Sequence, residues 1–255
     1  MTDDVRFVQD GHLAEIVLDR PYKLNAVTPE MAARIDEFCR TVDRDDDVRV
    51  LLLRGEGDRA FCAGSDLAAL AKYPTAWAFR NRSEYATAVR QVRKPVVAAL
   101  HGWVLGGGAE LALSADLRVL GRGARLGFPE VTRGWVGGGG ASQMLPRMIG
   151  AGQAMRLLLL GEPIGAEEAH RLGMAEFLVD DADVVATARD LCRRIAGFSP
   201  VATQSVKAAL RMTMQAHLDA GIRYENEMNT LCFAAGDHLE GIRAFQERRA
   251  ADFAR

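Results

Sequence analysis

Cysteine is scarce in this chain: Cys39, Cys62, Cys192 and Cys232 stand far apart and form no C-x-x-C pair. That argues against a zinc site or a disulfide framework and fits a reducing, cytoplasmic setting. Neither sign of charge dominates. With 32 basic against 34 acidic residues the formal net charge is −2, which leaves no electrostatic footprint for nucleic acid or an anionic membrane. No apolar run reaches the ~18 residues of a membrane span, and the acidic start Met1-Thr2-Asp3-Asp4 lacks the apolar core of a leader. The five histidines are scattered, so no metal site is expected. Two nucleotide-binding signatures are absent as well: no glycine loop ends in Gly-Lys-Ser/Thr, and G-x-G-x-x-G does not occur. Serine hydrolase chemistry lacks its nucleophile elbow. Ser65 sits in Ala63-Gly64-Ser65-Asp66-Leu67, and the nearest approach to G-x-S-x-G, Gly140-Ala141-Ser142-Gln143-Met144, ends in methionine.

What the chain does have is glycine in informative places. His101-Gly102-Trp103-Val104-Leu105-Gly106-Gly107-Gly108-Ala109-Glu110-Leu111 follows an apolar run at 96–100, an order that predicts strand, loop and helix. Without side chains, the glycines leave backbone N–H groups open at a helix N-terminus, where the dipole favours developing negative charge. Glu110 follows Gly107 by three residues, about one helical turn, which sets a carboxylate beside a donor able to polarise a substrate. The same run also suits a helix packed closely on a strand, and the stretch alone leaves both readings open. Glu130 is the second carboxylate of interest. A strand and loop between the two can bring both to one face of a cleft, although a glutamate is by default a solvated surface residue.

The rest of the chain reads as an α/β protein. Two apolar segments flank Asp10-Gly11 and predict a β-hairpin. Thr28-Pro29 opens a helix whose buried stripe is Met31, Ile35, Phe38 and Val42. Strands are expected at 48–53, 96–100, 115–120 and 177–179. Residues 73–93 mix aromatics with arginines: a helix is expected in the second half, and the aromatics of the first half are read as core anchors, with a flap over a ligand as the other reading. From 151 onward the pattern turns helical, at 151–160, 166–172, 183–196, 200–214, 218–234 and from about 239. A core over 1–197 and a helical subdomain over 198–255 are expected, with the many apolar residues of the latter facing a partner subunit or the core.

Taken together, the loops at 21–26, 60–67, 94–110, 128–143 and 164–173 and the tail at 232–253 resemble the enoyl-CoA hydratase/isomerase (crotonase) family, most closely its hydratases. The resemblance implies a spiral of repeated β-β-α units with C-terminal helices that assemble homotrimers, often paired into hexamers. It implies an acyl-CoA thioester as substrate, with CoA entering as its carrier and no further cofactor. By position, the N–H groups of Ser65 and Gly107 would form an oxyanion hole, Glu110 and Glu130 would be catalytic, and Gly138 would position water. CoA would be met by Arg20, Lys23, Leu24, Ala26, Ala63, Gly64, Ser65 and Asp66, with Arg248 or Arg249 of a neighbouring subunit as further phosphate cations. An isomerase, or a non-catalytic binding or assembly member, are the other readings within the fold. The chain departs from the family pattern where Gly137 replaces a proline, Ala141 a glycine and Ser142 a threonine, which predicts a looser loop. Arg133 and Trp135 also stand where smaller or apolar residues are usual, a change that would either reshape the acyl pocket or only decorate its outside.

Overall fold

Gly11, at a φ of 56°, and His12 turn the chain between β1 (Val5–Asp10) and β2 (Leu13–Leu18), with Asp10 paired to Leu13. The structure, a computed structural model, describes residues 4–253; Met1, Thr2 and Asp3 of the acidic start lie outside the described residues. After the hairpin, Thr28 accepts from Met31 N and caps α1 (Pro29–Arg44), which buries Met31, Ile35 and Val42 as expected and leaves Phe38 of the expected stripe partly buried.

Three turns of β-β-α follow, each sending one strand to each of two sheets. The strand pairs are β3 (Val50–Gly55) with β4 (Ala60–Cys62), β5 (Val96–Leu100) with β6 (Trp103–Leu105), and β7 (Leu117–Gly121) with β8 (Arg125–Gly127). Short helices α2 (Leu67–Leu70), α3 (Ala76–Arg80) and α4 (Tyr85–Gln91) close the first turn. The second is closed by α5 (Gly107–Leu113), and the third by α6 (Ala141–Ile149) and α7 (Ala151–Leu160). Strand β9 (Ile164–Gly165), helix α8 (Ala166–Arg171), strand β10 (Phe177–Val179) and helix α9 (Val184–Ala196) complete the spiral. The larger sheet has the order β1-β2-β3-β5-β7-β10, parallel from β2 onward, and the smaller one is β4-β6-β8-β9.

The central strands are apolar on both faces because both faces are covered. Leu51, Leu53, Val96, Ala98 and Leu120 point into the main core with α1, α4 and α5, while Val50, Leu52, Val97, Ala99 and Val119 meet Val184, Ala188 and Cys192 of α9. Alternation along each strand thus assigns its residues to two cores.

Three helices end the chain, α10 (Pro200–Met212), α11 (Leu218–Ala235) and α12 (Asp237–Glu247). Lys207 of α10 reaches back to the sheet, donating to Lys94 O at 2.7 Å and pairing with Asp116. Beyond that tie the helices bury little: α11 has no buried residue, and Phe233 and Phe245 are 70% and 85% exposed. No described helix is long and apolar enough to cross a membrane.

Candidate active site

The central glycine run serves both purposes that its sequence allows. A Cβ on Gly108 would stand 2.2 Å from Cys62 O, so this glycine lets the start of α5 press onto the end of β4. Gly106 and Gly107 face a cleft instead. Gly106 holds φ 54°, and a Cβ there would meet Glu130 Oε1 at 3.2 Å. Gly64, at φ 95°, brings the second glycine loop against the first: its Cβ would lie 3.1 Å from Gly107 N. Bare backbone is what lets these two loops touch. Among the described residues, neither Ser65 N–H nor Gly107 N–H is given to a protein acceptor. They are therefore open as donors at the head of α5.

Both carboxylates of interest line this cleft, which has a volume of about 510 Å³. Glu110 lies within α5, and its side chain accepts from Gly139 N at 2.9 Å and from Ala141 N at 3.0 Å, one bond to each oxygen. Burial pushes its carboxyl above the usual range, and the backbone donors pull against that rise. Glu130 comes from a 3-10 turn, Pro129–Arg133, that follows β8. Its two oxygens are buried, with no hydrogen-bond partner among the described residues. Burial raises this carboxyl as well; the nearby Glu110 adds to the rise and Arg133 opposes it. The two glutamates are thus placed differently: burial raises both, but N–H donors offset the rise at Glu110, while the oxygens of Glu130 have no hydrogen-bond partner among the described residues.

The Gly137–Gly140 loop is tied rather than loose. Besides the two bonds to Glu110, Arg90 donates to Gly139 O at 3.2 Å. Gly137 fits only because it has no side chain, since a Cβ there would sit 2.5 Å from Glu110 Oε1. Gly138 lines the cleft beside it.

Of the residues expected at the coenzyme, Lys23, Leu24, Ala26, Ala63, Gly64, Ser65 and Asp66 all line the cleft. Leu24 and Asn25 take left-handed backbone, and buried Asn25 holds the loop by donating to Ala60 O and Glu56 O. Arg20, expected at the phosphates, is engaged elsewhere: its guanidinium pairs with Asp66 at 2.7 Å, a contact that fixes the loop and raises its own pKa. Arg249 is likewise paired with Glu240 and Glu247 on the surface.

Sequence reasoning did not single out Tyr85, Phe79 and Arg82. Buried Tyr85 places its hydroxyl 3.1 Å from Ser65 Oγ, and a Cβ on Gly107 would lie 2.1 Å from that hydroxyl, so Tyr85 braces both donor loops. The aromatics of residues 73–79 are not core anchors. Trp77 is 68% exposed, while Phe79 lines the cleft and packs at a tilt against Trp135 with ring centroids 5.5 Å apart. A local sequence signal could have found only the Glu84 cap that starts α4 at Tyr85.

A model of the enoyl-CoA hydratase/isomerase family matches residues 9–255. Crotonyl-CoA hydratase from Syntrophomonas wolfei is 32% identical over 254 residues, covering 98% of this chain and 98% of the relative. (E)-Benzylidenesuccinyl-CoA hydratase from Thauera aromatica is 35% identical over 246 residues, with 95% and 96% covered. Among solved structures, enoyl-CoA hydratase from Bacillus anthracis superposes with a TM-score of 0.93 at 31% identity, over 98% of each chain.

Proposed function

The chain belongs to the enoyl-CoA hydratase/isomerase family, and on that premise we propose that it adds water reversibly across the 2,3 double bond of a 2-enoyl-CoA to give a 3-hydroxyacyl-CoA. The observation that carries this reading is the unequal pair of carboxylates on one cleft. Glu110 is bonded at both oxygens by backbone N–H, and Glu130 is desolvated with no hydrogen-bond partner among the described residues. The active form is the pair carrying one proton, and the N–H bonds to Glu110 favour that proton on Glu130.

In this form the N–H groups of Ser65 and Gly107 donate to the thioester oxygen and stabilise the negative charge that grows on it, which makes Cβ electrophilic. A water facing Glu110, aided by Gly138 N–H, attacks Cβ and gives Glu110 a proton as the new C–O bond forms. The electron pair of the double bond moves to the thioester enolate, and Glu130 delivers its proton to Cα as the enolate collapses. The two glutamates end with their protonation exchanged, and solvent resets them. CoA is the carrier of the acyl group, and the scheme calls on no other cofactor. Lys23, Leu24, Ala26, Ala63, Gly64 and Asp66 are assigned to the coenzyme, and the reaction to the cytoplasm.

The assembly belongs to the same proposal: α10 to α12 pack a homotrimer, and trimers pair into hexamers where a second surface allows it. The exposed apolar residues of these helices support the reading.

The test is the loss of enoyl-thioester absorbance with crotonyl-CoA and with a longer 2-enoyl-CoA, the product being identified by mass. A gain of one water supports the hydratase; a moved double bond without added water would replace it by an isomerase. Glu110→Gln and Glu130→Gln are each expected to cut turnover by at least about a hundredfold while CoA-thioester binding persists. Near-wild-type turnover in either variant would sink the two-carboxylate scheme.

A further inference from the structure

At the Gly138 end of the cleft stands a cation that the proposed hydration does not use. Arg82 lines it together with Phe79, Trp135 and Gly138. Its guanidinium lies 4.0 Å over the Phe79 ring, and Nη1 donates to Phe79 O at 2.9 Å. Nη2 hangs directly over Gly138, where a Cβ would come within 2.6 Å of it. The glycine therefore gives the fork its room. A guanidinium carries five N–H donors, and this side chain uses one of its five on protein among the described residues. No described carboxylate pairs with it. Glu84, the acid on the same wall, has both oxygens turned to the head of α4, on Ala86 N and Thr87 N. Arg133, the other arginine of the lining, acts on Glu130 and, among the described residues, bonds to Pro129 O.

A hydrocarbon acyl chain filling this end would strip water from Arg82 and return nothing to its donors, a poor exchange for a half-buried cation. A carboxylate at the far end of the acyl chain would meet the fork with two parallel charge-assisted bonds, and the aromatic walls would cover the methylenes between. We propose that the acyl pocket takes the monothioester of a dicarboxylic acid, its free carboxylate held by Arg82 beside Gly138. This rests on the acyl-CoA reading of the cleft and names its substrate class.

The test uses saturated probes, which bind whether or not the protein hydrates anything. Dissociation constants are measured by calorimetry for adipoyl-CoA and hexanoyl-CoA, and for suberoyl-CoA and octanoyl-CoA, on the wild type and on Arg82→Gln and Arg82→Lys. The wild type is expected to favour the carboxylate-bearing member of at least one pair by about tenfold or more. Arg82→Gln should bring that ratio towards one, and Arg82→Lys should keep part of it. A wild type that prefers the plain acyl chains in both pairs overturns the proposal. So does an Arg82→Gln variant that weakens both members of a pair equally, since that would assign the arginine to the coenzyme phosphates. Should the binding preference stand while no 2-enoyl-CoA is hydrated, the reaction falls and the pocket assignment survives.

Discussion

Glu130 pays no attention to the usual rule that a buried carboxylate finds a donor, and that has a measurable cost. Its folded pKa lies above the ordinary 4.5, chiefly through burial. Below 4.5 the carboxyl is protonated in both folded and unfolded chains, and nothing is lost. As pH rises through the shifted folded value, the fold must either keep the proton or bury a charge, and stability falls relative to a neutral isostere. Glu130→Gln is therefore expected to raise stability near neutral pH by on the order of 1 kcal/mol, read as a higher thermal midpoint, with the gain vanishing in acid. Calorimetry of both proteins across that range decides it; a variant less stable than wild type at neutral pH would show that Glu130 is satisfied in solution. Glu110 was legible from its distance to Gly107, because three residues along a helix is a local relation. The contrast between the two acids was not. It arises from a loop 29 and 31 residues further on that turns its N–H groups to one carboxylate and not the other.

At the scale of elements, the Gly137–Gly140 loop and α5 hold each other. Gly139 is hemmed in from two sides, where a Cβ would lie 2.9 Å from both Ala86 Cβ and Glu110 Oε2. Gly139→Ala should push the loop off Glu110, reducing turnover by about tenfold or more and destabilising the fold by roughly 1–3 kcal/mol. Steady-state kinetics and denaturant unfolding measure the two effects. Unchanged turnover would mean that the base needs no fixed orientation. The elements that were easy to foresee carry their own punctuation: Asp10-Gly11 for the hairpin, Thr28-Pro29 for α1, and the amphipathic runs of α7 and α9. Those that escaped are short or contradict local preference. Strand β6 has three residues inside a glycine-rich stretch, and α6 follows four glycines and contains Pro146, whose missing N–H removes one helical bond. Both form because neighbouring strands and helices hold them there, a cause that no short window contains.

For the whole molecule, the spiral of β-β-α units was legible through the resemblance of six loops to a known family, while the division of its strands between two sheets was not foreseen. Which loops meet across the spiral was another matter, so Tyr85 and Arg82 became visible only in three dimensions. The apolar surface of α10 to α12 sets an assembly prediction. Light scattering should give the mass of three chains or a multiple, and Phe233→Asp with Phe245→Asp should shift it towards one; a monomeric wild type would refute the assignment. A different consequence follows from the wall that carries Phe79 and Arg82. Helices α2 and α3 bury no residue in the core, yet they form one side of the cleft. Segments with so little purchase open at low free-energy cost, and what occupies the cleft supplies the contacts they lack. Trypsin, which cuts after lysine and arginine, should therefore nick the chain early at Lys72, Arg80 and Arg82, and a saturating acyl-CoA should slow those cuts several-fold while leaving cleavage near Arg249 unchanged. In that sense the ligand completes the local fold: the stability of this wall is a readout of occupancy, open to a gel and a protease before any turnover is measured.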